Sequence, residues 1–412
     1  MTRDAPDVDL RHVRELGNEL LKQIDAVRER SPIFWSPSQE AWIVSGHAEV
    51  TEGFSGKLPF SNERFTKVFR YMPDPEERAK RMPTILRLYP LEIVFTDPPQ
   101  QGRLRRLMMP AFSRPVIERN RVFIGQAVAE ALDQVEPGRE FNFVEKIANV
   151  IPSRVILRLL GLSESYLPDL PRWSSAAIAG LGGGADNPEL LDAAEAVYVE
   201  MEQALRGEIE RRRGAPATDF LSSLMNAEFD GDRLSDDEVV ATGLLTILAG
   251  NDTTSNTLGL SAVALAENPQ AWSFMREQPQ AMPEAVMEMM RYVAMSTTQT
   301  RTVTEDFEWR GHRLRKGQLV YLMIAGANRD PAQFPDPEAL DLGRSQVGNM
   351  TFGPGLHMCI GHLVARAQLE EFFTALVRRF DGIELADREL DWHSALAFRG
   401  LRSLKVRLNA AA

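Results

Sequence analysis

Residues 352–361 read Phe-Gly-Pro-Gly-Leu-His-Met-Cys-Ile-Gly and contain Cys359, the only cysteine among the 412 residues of the chain. A single thiol forms neither an intramolecular disulfide nor a multi-cysteine metal site. An apolar, helix-like run from Gly361 to Val377 follows. Because the N-terminus of a helix stabilises an anion, this turn favours a thiolate over a thiol. A thiolate held in this way is a soft ligand for one coordination position of iron.

The residues around Cys359 suit a large, flat ligand. Gly353, Gly355 and Gly361 are expected to let the backbone pass close to such a ligand and to adopt positive φ. His357, two residues before the sulfur, could reach an acidic group at the rim of the ligand. The alternative is a buried structural cysteine, which is the commonest fate of a lone cysteine.

The whole segment resembles the haem-binding loop of the cytochrome P450 family, Phe-Gly-x-Gly-x-His-x-Cys-x-Gly, at every fixed position. The match outweighs the alternative of a structural cysteine. It implies that the cofactor is haem b (iron protoporphyrin IX), with Cys359 as the iron ligand. His357 would pair with a haem propionate, and Phe352, Gly353 and Gly361 would contact the cofactor. The resemblance also implies a mainly α fold with a minor β part, as a single large domain over residues 1–412 with a long central helix.

Composition limits the classes of function. The net charge of −11 argues against a nucleic-acid-binding protein, and no basic arm or basic-aromatic patch is present. The first seven residues are polar and predict neither a signal peptide nor a membrane anchor. No apolar run approaches the roughly 20 residues that span a bilayer. We therefore expect a cytoplasmic protein, with which a single cysteine is consistent.

Periodicity predicts mostly helices. The predicted helices are Glu118–Val135, Glu189–Arg213, Asp236–Glu267 and His362–Arg379. The predicted strands are Glu40–Ser45, which pairs with Ile33–Trp35, a β region over Phe307–Ile324, and Leu401–Leu408. The glycine-rich stretch Gly180–Asp186 is expected to be a mobile surface loop between two helices.

The helix Asp236–Glu267 carries a polar interruption. It begins with a capping-box pattern at Ser235 and ends before Pro269, and its apolar interior is broken by Ala-Gly-Asn-Asp-Thr-Thr at residues 249–254. Glycine, threonine and a buried carboxylate are poor choices inside a helix. One interpretation is a local opening at Gly250, with the Thr253 hydroxyl bonding a group other than the backbone. The alternative is a polar patch that faces solvent.

This segment resembles the central-helix motif of the same family, Ala-Gly-x-Asp-Thr-Thr. By that resemblance, Ala249 and Gly250 flank the dioxygen site, and Asp252 and Thr253 relay protons to it. Cleavage of the O–O bond needs two protons, a hydroxyl that holds the bound oxygen and a carboxylate that exchanges protons with water.

Further residues are expected to support the cofactor. Glu288 and Arg291 lie three apart on one helix face, which is usually a solvated pair, but their flanks are apolar. The family ties such a pair to a later arginine, here Arg344, in a structural role. Arg301 and Arg105 match positions near the haem propionates. Gln101 stands where the family usually has a histidine, and a glutamine brings no positive charge.

The resemblance implies a haem-thiolate monooxygenase that inserts one atom of O2 into a C–H or C=C bond of a hydrophobic small molecule. The chain has no flavin, nicotinamide or iron–sulfur signature, so electrons are expected from a separate ferredoxin with its reductase. A positive patch at Arg103, Arg106 and Arg366 could bind that ferredoxin; ordinary solvated arginines are the alternative. Two rival functions are a peroxide-driven haem enzyme and a haem-based sensor or ligand-binding protein without turnover. The intact Asp252–Thr253 pair disfavours both.

The substrate pocket is expected to be apolar, although each of its candidate residues could equally belong to the core. This suits a terpenoid, aromatic or aliphatic substrate and does not identify it. The candidate pocket residues are Met82, Leu86, Leu91, Leu245, Leu248, Ala249, Met295, Ser296 and Phe398.

Overall fold

The computed structural model describes residues 7–8, 10, 16–63, 72–182, 187–215, 219–393 and 396–410. Its helices are α1 Glu19–Arg30, α2 His47–Phe54, α3 Pro75–Arg81, α4 Pro83–Leu88, α5 Gln100–Met108, α6 Arg114–Asp133, α7 Val150–Leu160, α8 Leu170–Gly182, α9 Pro188–Arg212, α10 Phe220–Met225, α11 Asp236–Glu267, α12 Pro269–Glu277, α13 Met282–Val293, α14 Ile324–Ala327 and α15 His362–Arg379. Its strands are β1 Ile33–Ser36, β2 Ala41–Val44, β3 Phe60–Ser61, β4 Phe141–Asn142, β5 Glu228–Phe229, β6 Asp232–Arg233, β7 Gln299–Val303, β8 Phe307–Trp309, β9 His312–Leu314, β10 Leu319–Leu322, β11 Phe380–Leu385, β12 Asp391–Trp392, β13 Leu401–Ser403 and β14 Lys405–Ala410.

The prediction of a mainly α fold with a minor β part and a long central helix is confirmed. Helices α11 and α15 have the predicted bounds, and α6 and α9 are displaced by a few residues. Two local predictions are wrong. Residue Ile324 begins a short helix and does not end a strand. Residues 180–182 continue helix α8 and do not form a loop, while residues 183–186 lie outside the described part.

The largest sheet has the strand order β1-β2-β10-β7-β3. As predicted, β1 and β2 form an antiparallel pair. Strand β10 pairs in parallel with β2 and antiparallel with β7, and it places Val320 opposite Arg301. Consequently Arg301 lies on a central strand of the sheet, where the backbone ladder fixes its position.

Helix α11 joins the two largest apolar cores. Its first half, with Leu244 and Ile247, belongs to a core shared with α4, α5, α7 and α9. Its second half, with Leu258 and Val263, belongs to a core shared with α13, α15 and β14. The polar segment 249–254 lies between the two cores, so its side chains are not required to fill an apolar interior.

Both ends of α11 follow from local sequence. The Ser235 hydroxyl accepts the N–H of Glu238 at 3.2 Å, and the Glu238 carboxylate accepts the N–H of Ser235 at 2.9 Å. This capping box satisfies two backbone donors at the helix start. At the other end, Asn268 has a non-helical conformation and Pro269 opens the next helix.

Candidate active site

A large, mainly apolar cavity separates α11 from the cysteine loop, residues 350–361. It encloses about 1500 Å³ of empty space, part of which is open to solvent. Cys359 and Gly361 of the cysteine loop line this cavity, and so do Ala249, Gly250 and Thr253 of α11. The structure therefore brings the two sequence motifs to one space.

The cysteine loop is built from tight turns. The N–H of Gly353 donates to Met350 at 2.8 Å, and the N–H of Cys359 donates to Phe352 at 2.8 Å. Gly353 and Gly355 have φ of 64° and 82°, as predicted, but Gly361 has φ of −85°. The expectation of positive φ is therefore wrong for Gly361, which is the N-cap of α15. A Cβ atom built at Gly361 would meet nothing within 4 Å, so this glycine leaves open space on the cavity side.

The Cys359 sulfur is accessible from the cavity but lies deep within the protein. Burial raises the pKa of the Cys359 thiol above its ordinary value, while the N–H of Gly361 and the charge of Arg105 act to lower it. Since burial is the largest effect, the helix start alone does not secure the thiolate. A bound iron ion would do so, because a thiol that coordinates a metal loses its proton.

The residues around the cavity fit haem b. Arg105, Arg301 and His357 line the same cavity as Cys359. The Arg301 side chain is buried, with its guanidinium 5.0 Å from the ring of Phe54. A soft thiolate, an open face at Gly361 and three basic side chains match an iron porphyrin with two anionic propionates.

Gln101 takes part in a different contact from the one that its position suggests. It is buried, its amide N–H donates to the carbonyl of Leu356 at 2.7 Å, and it is not among the residues that line the cavity. Its neighbour Arg105 does line the cavity and donates to the carbonyl of Met358 at 2.9 Å. Helix α5 is thus fixed to the cysteine loop by two side chains, and only Arg105 presents a charge to the cofactor space.

The polar segment of α11 is regular helix. The Thr253 hydroxyl donates to the carbonyl of Ala249 at 2.6 Å, as Ser and Thr hydroxyls often do inside helices. The expected opening at Gly250, with a hydroxyl that avoids the backbone, is therefore wrong. Gly250 instead packs closely against α7, because a Cβ atom there would lie 2.4 Å from Cδ1 of Ile156, whose side chain would have to move.

Asp252 faces away from the cavity that Thr253 lines. Burial raises the pKa of the Asp252 carboxyl to about 7, and interactions with Ser174 of α8 and Asn251 act to lower it. Asn251 is itself held by the hydroxyl of Ser153 at 2.8 Å. A carboxyl with a pKa near neutrality can both accept and release a proton under ordinary conditions.

The Glu288–Arg291 pair is fully buried. Nε and Nη2 of Arg291 donate to the two oxygens of Glu288 at 2.8 and 2.9 Å. Nε of Arg344 lies 3.1 Å from the same carboxylate. The remaining Arg291 donors reach the carbonyls of Asn328, Pro337 and Ala339. Because the Asn328 side chain accepts the N–H of Met350 at 2.7 Å, the cluster is connected directly to the cysteine loop.

The apolar wall agrees with only part of the prediction. Leu245, Ala249, Met295, Ser296 and Phe398 line the cavity, and a β-bridge between Ser296 and Phe398 holds the last of these in place. Four predicted residues do not line it: Met82, Leu86, Leu91 and Leu248. Met82 is fully buried in the first core, and Leu86 and Leu248 pack against that core. Sequence reasoning missed the following wall residues: Ile93, Val94, Met108, Phe112, Ile156 and Leu159.

The predicted positive patch is not formed as expected. Arg103 is held by Asp232 at 2.7 Å and Glu238 at 2.5 Å, so two carboxylates neutralise its charge. Arg366 lies 3.5 Å from Glu370. Arg106 is exposed, with its guanidinium 5.0 Å from the ring of Phe229. Of the three arginines, only Arg106 makes no ion pair within 4 Å among the described residues, although its charge helps to lower the pKa of Asp232.

Comparisons with known proteins agree with this geometry. The family model for cytochrome P450 matches residues 189–390. The 6-deoxyerythronolide B hydroxylase of Saccharopolyspora erythraea is 32% identical over 400 residues, which cover 93% of this chain and 94% of that protein. The cytochrome P450 PksS of the Bacillus subtilis bacillaene polyketide synthase has a TM-score of 0.85 at 28% identity, with 96% of this chain and 98% of that chain covered. The epothilone D-bound P450epoK has a TM-score of 0.87 at 27% identity, with 98% and 100% covered.

None of the described helices is long and apolar enough to cross a bilayer. These two neighbours share the fold of this chain over nearly its whole length. The chain therefore belongs to the cytochrome P450 family and is a haem-b-dependent monooxygenase that acts on a hydrophobic substrate with O2 and electrons from a redox partner.

Proposed function

We propose that Cys359 would hold the haem iron and that Asp252 and Thr253 supply protons to the cavity in which the haem would activate dioxygen. The observation that carries this assignment is the shared cavity, with the Cys359 sulfur on one wall and the Thr253 side chain on another. The haem, when bound, supplies the site at which dioxygen is activated. Arg105, Arg301 and His357 would hold its propionates from the same cavity, and Phe352, Gly353 and Gly361 would contact it beside the thiolate.

The two polar residues of α11 have different tasks. Thr253 presents its hydroxyl at the cavity wall, and by donating to Ala249 that hydroxyl leaves its oxygen lone pairs available to accept a bond. Asp252 lies behind this wall, and its pKa of about 7 lets it take up a proton and pass it on. Ala249 has a small side chain and Gly250 has none, so the part of the cavity wall that they form leaves room for dioxygen.

The test is Thr253→Ala with Thr246→Ala as a matched control. Both hydroxyls donate to the carbonyl four residues earlier on α11, and both residues line the cavity. We expect Thr253→Ala to consume electrons at a similar rate but to release hydrogen peroxide in place of product. The control is expected to stay coupled. Product and peroxide are measured per electron consumed, and tightly coupled turnover by Thr253→Ala would contradict the relay.

The two rival functions predict different results in the same assay. A peroxide-driven enzyme would form product with hydrogen peroxide alone as fast as with a reducing partner. A haem-based sensor would form none in either condition. The pKa of about 7 at Asp252, in the same polar segment of α11 as Thr253, favours the monooxygenase, because a proton relay serves neither a peroxide-driven reaction nor ligand sensing.

We propose that the substrate is a large, mainly apolar molecule of polyketide or fatty-acyl character. The wall is dominated by aliphatic and aromatic side chains, and its polar groups include Thr246, Ser296 and Gln299. Relatives named above are a 6-deoxyerythronolide B hydroxylase and an epothilone D-bound enzyme. A panel of macrolactones, fatty acids, terpenoids, aromatics and steroids is titrated, and the haem absorbance is recorded. A shift with terpenoids or simple aromatics only would refute this substrate class.

We propose that a ferredoxin with its reductase supplies the electrons in the cytoplasm, and that residues 1–412 act as one catalytic domain. Arg106 of α5, Met109 directly after α5 and Leu356 of the cysteine loop are exposed. Arg106→Glu is expected to slow reduction by an acidic ferredoxin at low salt. Arg139→Glu, an exposed arginine on another segment, is the control. Equal rates and equal salt dependence in the two variants would exclude Arg106 from the docking surface.

A further inference from the structure

One face of α9 holds the chain segment that leads into the cavity wall. Asp192 binds the guanidinium of Arg81 at 2.5 and 2.8 Å. The Glu195 carboxylate accepts the backbone N–H groups of Thr84 and Ile85 at 2.9 and 3.0 Å.

Further along the same face, the Tyr198 hydroxyl donates to the Glu92 carboxyl at 3.0 Å, and Glu202 accepts Nη2 of Arg87 at 2.6 Å. Residues 192, 195, 198 and 202 recur at helical spacing, so the four contacts form a stripe along α9.

The four contacts differ in burial. The side chains of Arg81 and Asp192 are 28% and 52% exposed, and an ion pair of this kind contributes little to stability. Glu92 and Tyr198, in contrast, are 2% and 0% exposed. A hydrogen bond between two buried polar groups is costly to lose, because the remaining partner has no water to bond.

Of the residues that α9 binds, Glu92 is nearest in sequence to the cavity wall. The next two residues, Ile93 and Val94, begin a 3-10 turn and line the cavity. The carboxyl of Glu92 therefore fixes the point at which this turn starts. Neither residue of the Glu92–Tyr198 pair is among the cavity-lining residues.

We propose that Glu92 and Tyr198 are positioning residues that hold Ile93 and Val94 in the wall of the substrate cavity and so determine which large substrates fit. This inference rests on the proposed function of the cavity. It adds a second determinant of specificity, which acts through the backbone and has no contact with the substrate.

The protonation of Glu92 supports this role. Burial raises the pKa of the Glu92 carboxyl to about 8, which the Tyr198 hydroxyl partly opposes, so the group is a neutral acid at pH 7. The titratable groups near the pair are Tyr89 and Glu195, and burial raises the pKa of Tyr198 well above its ordinary value. Above about pH 8 the Glu92 carboxyl ionises and requires solvation, which should loosen the turn.

The charged groups on the neighbouring helices are engaged elsewhere. On α4, Arg87 is bound by Glu202 and Asp237. On α5, Arg103 is bound by Asp232 and Glu238, which lies on α11. Neither arginine therefore forms an ion pair with Glu92.

The experiment compares two haem ligands in the holoenzyme. Imidazole binds the iron without reaching the wall, whereas 1-dodecylimidazole binds the iron with the same group and must fit its chain into the cavity. The ratio of their dissociation constants, from absorbance titrations, reports the wall alone. Tyr198→Phe removes one hydroxyl, Glu92→Gln cannot ionise, and Asp192→Asn is the control from the exposed end of the stripe.

We expect Tyr198→Phe to raise the dissociation constant of 1-dodecylimidazole about fivefold or more and that of imidazole less than about twofold. In the natural protein the affinity for 1-dodecylimidazole relative to imidazole should fall between about pH 7 and pH 9, and Glu92→Gln should abolish that fall. A Tyr198→Phe ratio equal to that of Asp192→Asn would overturn the proposal. So would a pH dependence that survives in Glu92→Gln, and this arm remains decisive if Tyr198→Phe does not fold.

A failure of the underlying function would look different. If the natural protein formed no thiolate-haem carbon monoxide spectrum, the proposed function would fall together with this inference, whether or not the two imidazoles bind. If that spectrum is normal in every variant and only the ratio fails to change, the haem site stands and the positioning role is refuted.

Discussion

Replacing Arg291 with methionine tests the buried cluster behind the cysteine loop. The side chain is fully buried, and its N–H groups reach the Glu288 carboxylate and three backbone carbonyls. Methionine fills a similar volume but offers none of these donors. The change leaves Glu288 with Arg344 as its remaining cation, because the two arginines share that carboxylate.

The size of the effect follows from opposing contributions. Hydrogen bonds to a charged group contribute about 1.5–3 kcal/mol each, but removing the cation also removes its desolvation cost. The measured loss for a broken buried pair is ~3–5 kcal/mol. The unfolding entropy is about 2.1 cal/mol/K per residue, so for 412 residues ΔS is ~0.9 kcal/mol/K. The unfolding midpoint should therefore fall by about 3–6 °C.

The assay is thermal unfolding of the haem-bound protein at one scan rate, followed by circular dichroism and haem absorbance. Arg139→Met, whose side chain is 76% exposed, is the control and should shift the midpoint by less than about 1 °C. Arg291→Lys keeps the charge but has fewer donors, so it should fall between the two.

Transfer of haem to an acceptor protein should also be faster in Arg291→Met, because Asn328 connects the cluster to Met350. A midpoint for Arg291→Met equal to that of Arg139→Met would refute the assignment of a structural role.

Three further predictions follow. The pKa of Asp252 is raised to about 7 in the folded protein, so between about pH 4 and pH 7 the unfolded chain releases this proton before the folded protein does, and the folded state becomes less stable. Asp252→Asn should therefore raise the unfolding midpoint more at pH 8 than at pH 5. Gly355→Ala should destabilise even the haem-free protein, since φ is 82° and a Cβ atom would lie 2.5 Å from a backbone oxygen, whereas Gly361→Ala should weaken haem binding only. Gln101→Leu should lower the midpoint by about 1–3 °C through its lost hydrogen bond, and Gln101→His should not slow haem loss, because this side chain does not line the cavity.

The central helix could be predicted to the residue because the signals at both its ends are local. The capping box at Ser235 and the Asn268-Pro269 pair act on their own backbone groups, so no distant contact is required to place them. The error at Ile324 has the opposite origin. An apolar run carries no periodicity that separates a strand end from a short helix, and tertiary packing decided the outcome.

The cavity wall could be predicted only in part. Met82 and Val94 are both apolar residues of the chain between α3 and α5, yet one is in the core and the other lines the cavity. The hydrogen bonds that hold the chain near them come from Glu195 and Tyr198, more than a hundred residues later. No pattern within the segment contains that information.

Three polar side chains make contacts that differ from those expected. The Thr253 hydroxyl donates to the Ala249 carbonyl of its own motif, the Gln101 amide donates to the Leu356 carbonyl, and the Arg103 guanidinium donates to the Asp232 carboxylate. The partners of Gln101 and Arg103 lie more than a hundred residues later in the chain, so the local pattern does not specify them. Gln101 shows the consequence most clearly, because replacement of a usual histidine is explained by a hydrogen bond that fixes the cysteine loop without any charge. Under the proposed assignment the propionates are held by Arg105, Arg301 and His357, so loss of charge at the two arginines, and not a change at residue 101, should release the haem.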